Sequence, residues 1–310
     1  MSDTERDLDI IFACWADSPA TVANALLLID SIRTFAARFS GAPAWVLVPR
    51  TLQLPDPLAT GLSRLGASLV QFTPEASVRS LPFSTKVIAS AAAESAAAGA
   101  AKLLCFMDPD SLILQEPLPF VLGPDKVFGC RPVDLKLIGS PWGEPPDDLW
   151  QLVYMHCHVE EARIYRVVSS VDRQAIHAYF NACLLIARPE RGVFRAWRAN
   201  LLRMAQDDEL LSSVARQPLR RVFLHQMALA GTVLSLVSRT EVQELPAYVN
   251  YPLHLHERYP AEHRPAWLND LISCRYEQVF ETTSWEASVP VAEPLRSWLI
   301  GRVKPPSPGE

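Results

Sequence analysis

Over its first 115 residues the chain repeats one pattern: a short apolar run, then a segment with apolar residues at helical spacing, then another apolar run. Such alternation packs most simply as an α/β sheet with helical crossovers on its faces, and a single α/β domain is the expected architecture. The first run covers residues 9–16, "DIIFACWA". Ser18 then stands as an N-cap with Pro19 at the first helical position, where no amide hydrogen is needed. Val22, Ala25, Ile29, Ile32 and Phe39 predict a helix from about 20 to 39. "AWVLVP" (44–49) and "ASLVQF" (67–72) read as strands, with a short helix near 57–65 between them. An Ala-rich helix over about 83–100 leads into the strand "AKLLCFMD", which carries Asp108 at its C-terminal end.

After Gln115 the texture changes. "EPLPFVLGPD" and "SPWGEPPDD" are rich in proline, which fixes φ and removes a ladder donor, so irregular connections are expected there. "HAYFNACLLIARP" (177–189) reads as one more buried strand. Phe194, Trp197, Leu201 and Met204 mark an amphipathic helix, as do Phe223, Met227, Ala230, Leu234 and Val237. One domain over 1–302 is expected, with a loose tail at 303–310.

Composition narrows the function. A formal charge of −5 argues against a general nucleic-acid binder, which needs a basic face to neutralise phosphates. The acidic N-terminus resembles no secretory signal, and no window of about 20 residues is apolar and uncharged enough to cross a bilayer, so a cytoplasmic protein without a transmembrane segment is expected. The six cysteines form no CxxC pair and several lie in apolar runs, so reduced thiols are expected, with neither disulfides nor a thiolate metal site.

The stretch "FMDPDS" (106–111) places two carboxylates, Asp108 and Asp110, at the carboxyl end of a buried strand, where open α/β sheets bind ligands. Residues i and i+2 of an extended or turn segment point to one side, so both carboxylates can face one hard cation such as Mg²⁺ or Mn²⁺. Asp-Pro-Asp is also ordinary turn chemistry. His254 and His256 in "YPLHLHE" are expected to alternate on one face of a strand, whereas His156 and His158 read as structural. Trp142 and Trp150 in the proline-rich segment could stack on a sugar or simply pack.

Taken in order, these elements resemble GT-A fold glycosyltransferases, in particular family-eight-like proteins. The resemblance rests on "IIFACWADSP" followed by a helix, a Lys-bearing helix before a strand ending in a DxD motif, "YFNACLLIARP", and the late "HLH". It spans about 250 residues, from Asp9 to roughly Glu257. It implies a single Rossmann-like domain with a central, mostly parallel mixed sheet, irregular proline-rich loops and C-terminal helices. Residues 9–118 would be the nucleotide-binding half and 119–302 the half for donor sugar and acceptor.

The implied activity is hexosyltransferase-like transfer from a nucleotide-diphosphate-sugar, a UDP-sugar foremost, to an unknown acceptor. Asp108 and Asp110 would hold Mn²⁺ or Mg²⁺ on the diphosphate, with His254 or His256 as a third ligand. Phe12, Ala13, Cys14 and Asp17 would meet the base and ribose, Lys86 would stand near the nucleotide, and Asp108 would reach it through the cation. Asn181 would bind the sugar, and His225 and Gln226 would stand near the reaction centre, with His225 either a base titrating near neutrality or the mark of a helix position that is no longer catalytic. The late-histidine pattern leans towards retention at the anomeric carbon.

The sequence departs from the family pattern at Pro109, at Cys183 in place of glycine, and at His225 in place of an acid. Those departures leave open a non-catalytic relative that binds nucleotide-sugar or a partner protein. A nucleotidyltransferase fits poorly, because "FACWADSPATV" has no glycine from which to build a phosphate loop.

Overall fold

In the computed structural model, residues 9–281, 285 and 290–303 are described. Residues 304–310 of the expected loose tail lie outside them.

The predicted alternation is realised as a seven-stranded sheet. β1 (Ile10–Trp15) lies between β2 (Ala44–Pro49) and β4 (Leu103–Met107), and β3 (Ala67–Phe72) continues the parallel set beyond β2. On the other side of β4, β9 (Leu184–Ala187) runs antiparallel, followed by β6 (Phe128–Cys130) and β10 (Val242–Glu244). The central strands are apolar on both faces, as a sheet covered on both sides requires. Ile11, Ala13 and Trp15 of β1 join one core cluster, and Ile10, Phe12 and Cys14 join the other.

Helices cover the two faces. α1 (Pro19–Phe35) and α2 (Asp56–Arg64) pack Val22, Leu28, Ile32 and Leu62 on one side. On the other lie α3 (Ser84–Ala97), α5 (Val193–Met204) and α7 (Pro218–Leu236), with α4 (Asp148–His156) and α6 (Asp208–Ala215) outside them. Gly231 of α7 allows a close crossing with α4, since a Cβ there would come within 2.5 Å of the Cys157 sulfur. A small sheet of β5 (Ser111–Ile113), β12 (Ser273–Arg275) and β11 (Tyr251–Pro252) forms a third cluster with the C-terminal segment. A hairpin of β7 (Arg166–Val168) and β8 (Ala175–His177) flanks it.

Local chemistry sets the boundaries. Ser18 accepts from the Thr21 amide at 3.2 Å while Thr21 Oγ1 accepts from the Ser18 amide at 3.0 Å, so two orphan donors at the start of α1 are satisfied reciprocally. α1 ends at Phe35 rather than near 39 because Ala37 takes a left-handed conformation (φ 47°), and a short 3₁₀ turn follows. Of the expected strand over 177–189, only His177, the last residue of β8, and Leu184–Ala187 (β9) are strand, and between them lies an irregular stretch around Asn181. Its side-chain oxygen accepts from the Cys183 amide at 2.8 Å, an Asx turn that competes with ladder pairing. His254 and His256 do not alternate on a strand, since Leu253–Arg258 is a 3₁₀ turn. All six cysteines are free and five are buried.

Gly192 precedes α5 at φ 70° and offers no capping side chain. Glu94 of α3, fully buried, serves instead and accepts from the Phe194 amide at 3.1 Å and the Arg195 amide at 2.8 Å. Glu94→Ala leaves both amides without this acceptor and is expected to cost about 1–3 kcal/mol of stability, read by urea unfolding. An unchanged midpoint would contradict this capping role.

Candidate active site

β4 ends at Met107, so its apolar side chains anchor the backbone that presents Asp108. The Asp108 amide donates to the Cys183 carbonyl at 2.7 Å, which ties the end of β4 to the start of β9. One carboxylate oxygen of Asp108 accepts from Trp15 Nε1 at 3.0 Å and the other from Lys86 Nζ at 2.8 Å. Lys86 is 2% exposed. Burial alone would pull its ammonium down, but Asp108 and the other charges around it outweigh that, and the net shift is upward.

These groups open onto a cavity of about 750 Å³ at the carboxyl ends of β1 and β4. Its wall holds five acids (Asp108, Asp110, Asp134, Glu277 and Glu281) against two bases, Lys86 and Arg275. Arg275 carries much of the balance, with ion pairs to Asp134 at 3.6 Å and Glu277 at 3.2 Å. It also donates to the Cys183 sulfur at 2.6 Å and lies 3.5 Å from His254 Nε2. Asp110 differs: among the described residues no hydrogen bond or ion pair reaches its carboxylate. Burial, then the neighbouring Asp108, raise its pKa to about 6, with Arg275 and Lys86 pulling the other way.

Surplus carboxylate charge of this kind fits a hard divalent cation. Among the described residues no three His, Cys, Asp or Glu side chains converge closely enough to hold one unaided. Asp108 and Asp110 thus form a half-site of the kind Mg²⁺ uses when substrate phosphates and waters complete its shell. His254 lines the cavity, and burial, Arg275 and Arg258 push it down to about 4, which leaves a neutral imidazole. His256 instead bonds through Nδ1 to the Tyr251 hydroxyl at 3.0 Å.

Asn181 lines the cavity but is well occupied: its amide nitrogen donates to Asp134 at 2.8 Å, and its oxygen accepts from Cys183 N–H and, at 3.4 Å, from Asn250. Gln226 donates to the Phe180 carbonyl at 3.0 Å. His225 is buried, with Nδ1 2.9 Å from the Val222 carbonyl and its ring 4.8 Å from that of Phe83. Burial and Lys86 push it down to about 3, so it does not titrate near neutrality as the sequence suggested.

Phe12, Ala13 and Cys14 sit inside the sheet with β2 on one side and β4 on the other, and the cavity begins one residue later, at Trp15. The exposed Asp17 accepts from Thr21 Oγ1 at 3.4 Å, a helix-start role. Trp150 is 1% exposed and donates to the Ile138 carbonyl, so it is a core residue and no stacking surface; Trp142 is exposed and packs edge-on against His177. His156 pairs with Asp207 at 2.6 Å.

Trp15, Asp134 and Arg275 are among the cavity residues that escaped the sequence reading. Trp15 had a signal, an indole at the mouth end of an apolar strand with a donor to satisfy. Asp134 and Arg275 had none, because their charges are matched by partners 141 residues apart in the chain, as 275 is from 134.

A family model of the Rhodobacterales glycosyltransferase domain matches residues 12–236. No curated protein sequence matches the chain. Among solved structures, the bifunctional glycosyltransferase WbbM is similar at 12% identity with a TM-score of 0.51, over 96% of this chain and 52% of that one. The chain therefore spans about half the length of WbbM. LgtC, solved in complex with donor and acceptor sugar analogues, aligns at 13% identity and a TM-score of 0.45 over 94% of this chain and 99% of that one. Mouse xyloside xylosyltransferase 1 aligns at 10% identity and a TM-score of 0.44, covering 92% and 95%.

Two outcomes follow from the charge arrangement. Because the Asp110 pKa is raised to about 6 from its ordinary 3.8, the folded protein binds more protons than the unfolded chain between those values, and stability falls as pH rises through that window. Asp110→Asn should stabilise the protein by roughly 1–2 kcal/mol at pH 8 in chelator, after allowance for solvent reaching the half-buried group, with the gain vanishing near pH 4. Lys86→Met strands a buried carboxylate and should cost about 3–5 kcal/mol, much of it recovered by adding Asp108→Asn. Thermal and urea unfolding read both.

Proposed function

The chain belongs to the Rhodobacterales glycosyltransferase domain family, and from that premise we propose that it transfers a sugar from a nucleotide-diphosphate-sugar, a UDP-sugar foremost, in a metal-dependent reaction. The protein is a glycosyltransferase with a GT-A fold. The observation that carries the finer reading is the Asp110 carboxylate, without a hydrogen-bond or ion-pair partner among the described residues, beside Asp108 in a cavity where acids outnumber bases. A diphosphate entering such a cavity is repelled unless a cation accompanies it.

When bound, Mn²⁺ or Mg²⁺ would supply Lewis-acid stabilisation of the departing nucleotide diphosphate. Asp108 and Asp110 would hold it, and His254, a neutral imidazole, lines the same cavity. Lys86 holds Asp108 in place, and its ammonium adds positive charge where the leaving group gathers negative charge. Trp15, Thr21 and Asn24 line the nucleotide side. Asn181 and Asp134, already bonded to each other, would orient the donor sugar's hydroxyls. In this reading residues 9–118 are the nucleotide-binding half, and 119–302 serve the sugar and acceptor. Among the described residues no helix is long and apolar enough to cross a membrane.

One observation favours a second reading, binding without turnover: His225, pushed down to about 3, stands where the related pattern carries an acid. A panel of nucleotide-sugars incubated with Mn²⁺ separates the two by release of nucleoside diphosphate. The expected result is metal-dependent hydrolysis that stops in chelator and drops about 100-fold or more in Asp110→Asn. Binding with no release under any acceptor supports the second reading. If no nucleotide-sugar binds with Mn²⁺ present, and Asp110→Asn changes nothing, both are wrong.

A further inference from the structure

The same cavity has an apolar wall that the donor chemistry does not use. Phe83 and Leu137 line it and are 42% and 51% exposed. Both also occupy left-handed backbone conformations, at φ 59° and φ 38°. Bulky residues other than glycine are rarely found there, and such strain persists where surrounding structure holds it for a purpose. Exposure and strain therefore fall together on two residues that line the cavity, and Phe83 meets α7 through the His225 ring.

Helix α7 extends that wall. Val222 and Phe223 line the cavity, and Leu219, one turn before Phe223 on the same helix face, is 54% exposed. The apolar stripe thus runs from the cavity out to the protein surface. It also borders the charged centre, since the Phe83 ring centroid lies 5.3 Å from Lys86 Nζ.

A nucleotide diphosphate needs cations and hydrogen-bond donors, and this stripe has neither to offer. A transferase must hold its acceptor beside the donor sugar in the same cavity. We propose that Phe83, Leu137 and the Leu219–Phe223 stripe bind the apolar part of the acceptor, and that the acceptor is a glycoside or alcohol carrying an aliphatic chain. A chain fits better than a compact group because the stripe continues beyond the cavity along α7. The inference rests on the transferase reading for the identity of the acceptor, but the binding it asserts can be measured without turnover.

The test compares n-octyl β-D-glucoside, below its micelle concentration, with methyl and phenyl β-D-glucosides by titration calorimetry on the full chain. Octyl glucoside is expected to bind at least about tenfold tighter than methyl glucoside, as several buried methylenes require. Leu137→Gly and Phe83→Gly should each cut that ratio to about threefold or less. Both variants should remain folded with cooperative unfolding, because glycine adopts a positive φ without strain and so offsets part of the packing and chain entropy lost. Retention of the fold therefore separates loss of grip from loss of structure, and two variants guard against one misfolding.

Uridine diphosphate binding with Mn²⁺, measured on the same wild-type sample, reports the donor reading separately. If that binding fails while octyl glucoside binds, the donor reading falls and the apolar site stands. Equal affinity for octyl and methyl glucosides overturns the inference. So does an unchanged ratio in both glycine variants, and so does phenyl glucoside matching octyl, which would rule against a chain.

Discussion

Lys86 and Asp108 form an ion pair that is almost wholly removed from water, and the arrangement of the site depends on it. A buried carboxylate is costly unless matched, and here an ammonium from α3 and an indole N–H from the end of β1 share its two oxygens. Satisfying it fixes three elements at one point. The backbone bond from Asp108 to Cys183 adds the start of β9 as a fourth, so the carboxyl end of β4 is tied to α3, β1 and β9 at once. Replacing the pair by apolar side chains would be at least as stable in principle. Its retention makes sense for a site that needs charge held in a set position.

That fixed pair explains its unmatched neighbour. Asp110 follows two residues later, close enough to feel Asp108 and too far from any base to be neutralised by one, and its raised pKa records the mismatch. Stability is given up at Asp110 so that negative charge stands ready in the cavity. Arg275 does the reverse: it draws Asp134, Glu277, Cys183 and His254 into one network and holds the far wall in register. The donor reading and the apolar acceptor wall then divide a single cavity between charged and uncharged surfaces, with Phe83 touching both Lys86 and His225 at the border.

Much of the fold was legible because local chemistry and global packing agree. The apolar runs became β1 to β4, the Ser18 cap and Pro19 began α1, and the DxD segment fell at a strand end. What failed did so for identifiable reasons. Asn181 sits in an apolar string, but its side chain captures the Cys183 amide and breaks the strand. "HLH" has strand spacing, yet proline-flanked backbone coils it into a 3₁₀ turn and sends His256 towards Tyr251. Nothing local signals burial, so Trp150 and Trp142 looked equivalent although one is core and the other exposed. The charge of Arg275 acquires meaning only through partners distant in sequence.

The most direct measurement is a crystal structure with uridine diphosphate and Mn²⁺ bound. The expected result is an ion held by carboxylate oxygens of Asp108 and Asp110 beside the diphosphate, with Lys86 still paired to Asp108. A diphosphate held by Lys86 and Arg275 with no ion at those carboxylates, or a nucleotide bound away from the cavity, would contradict it.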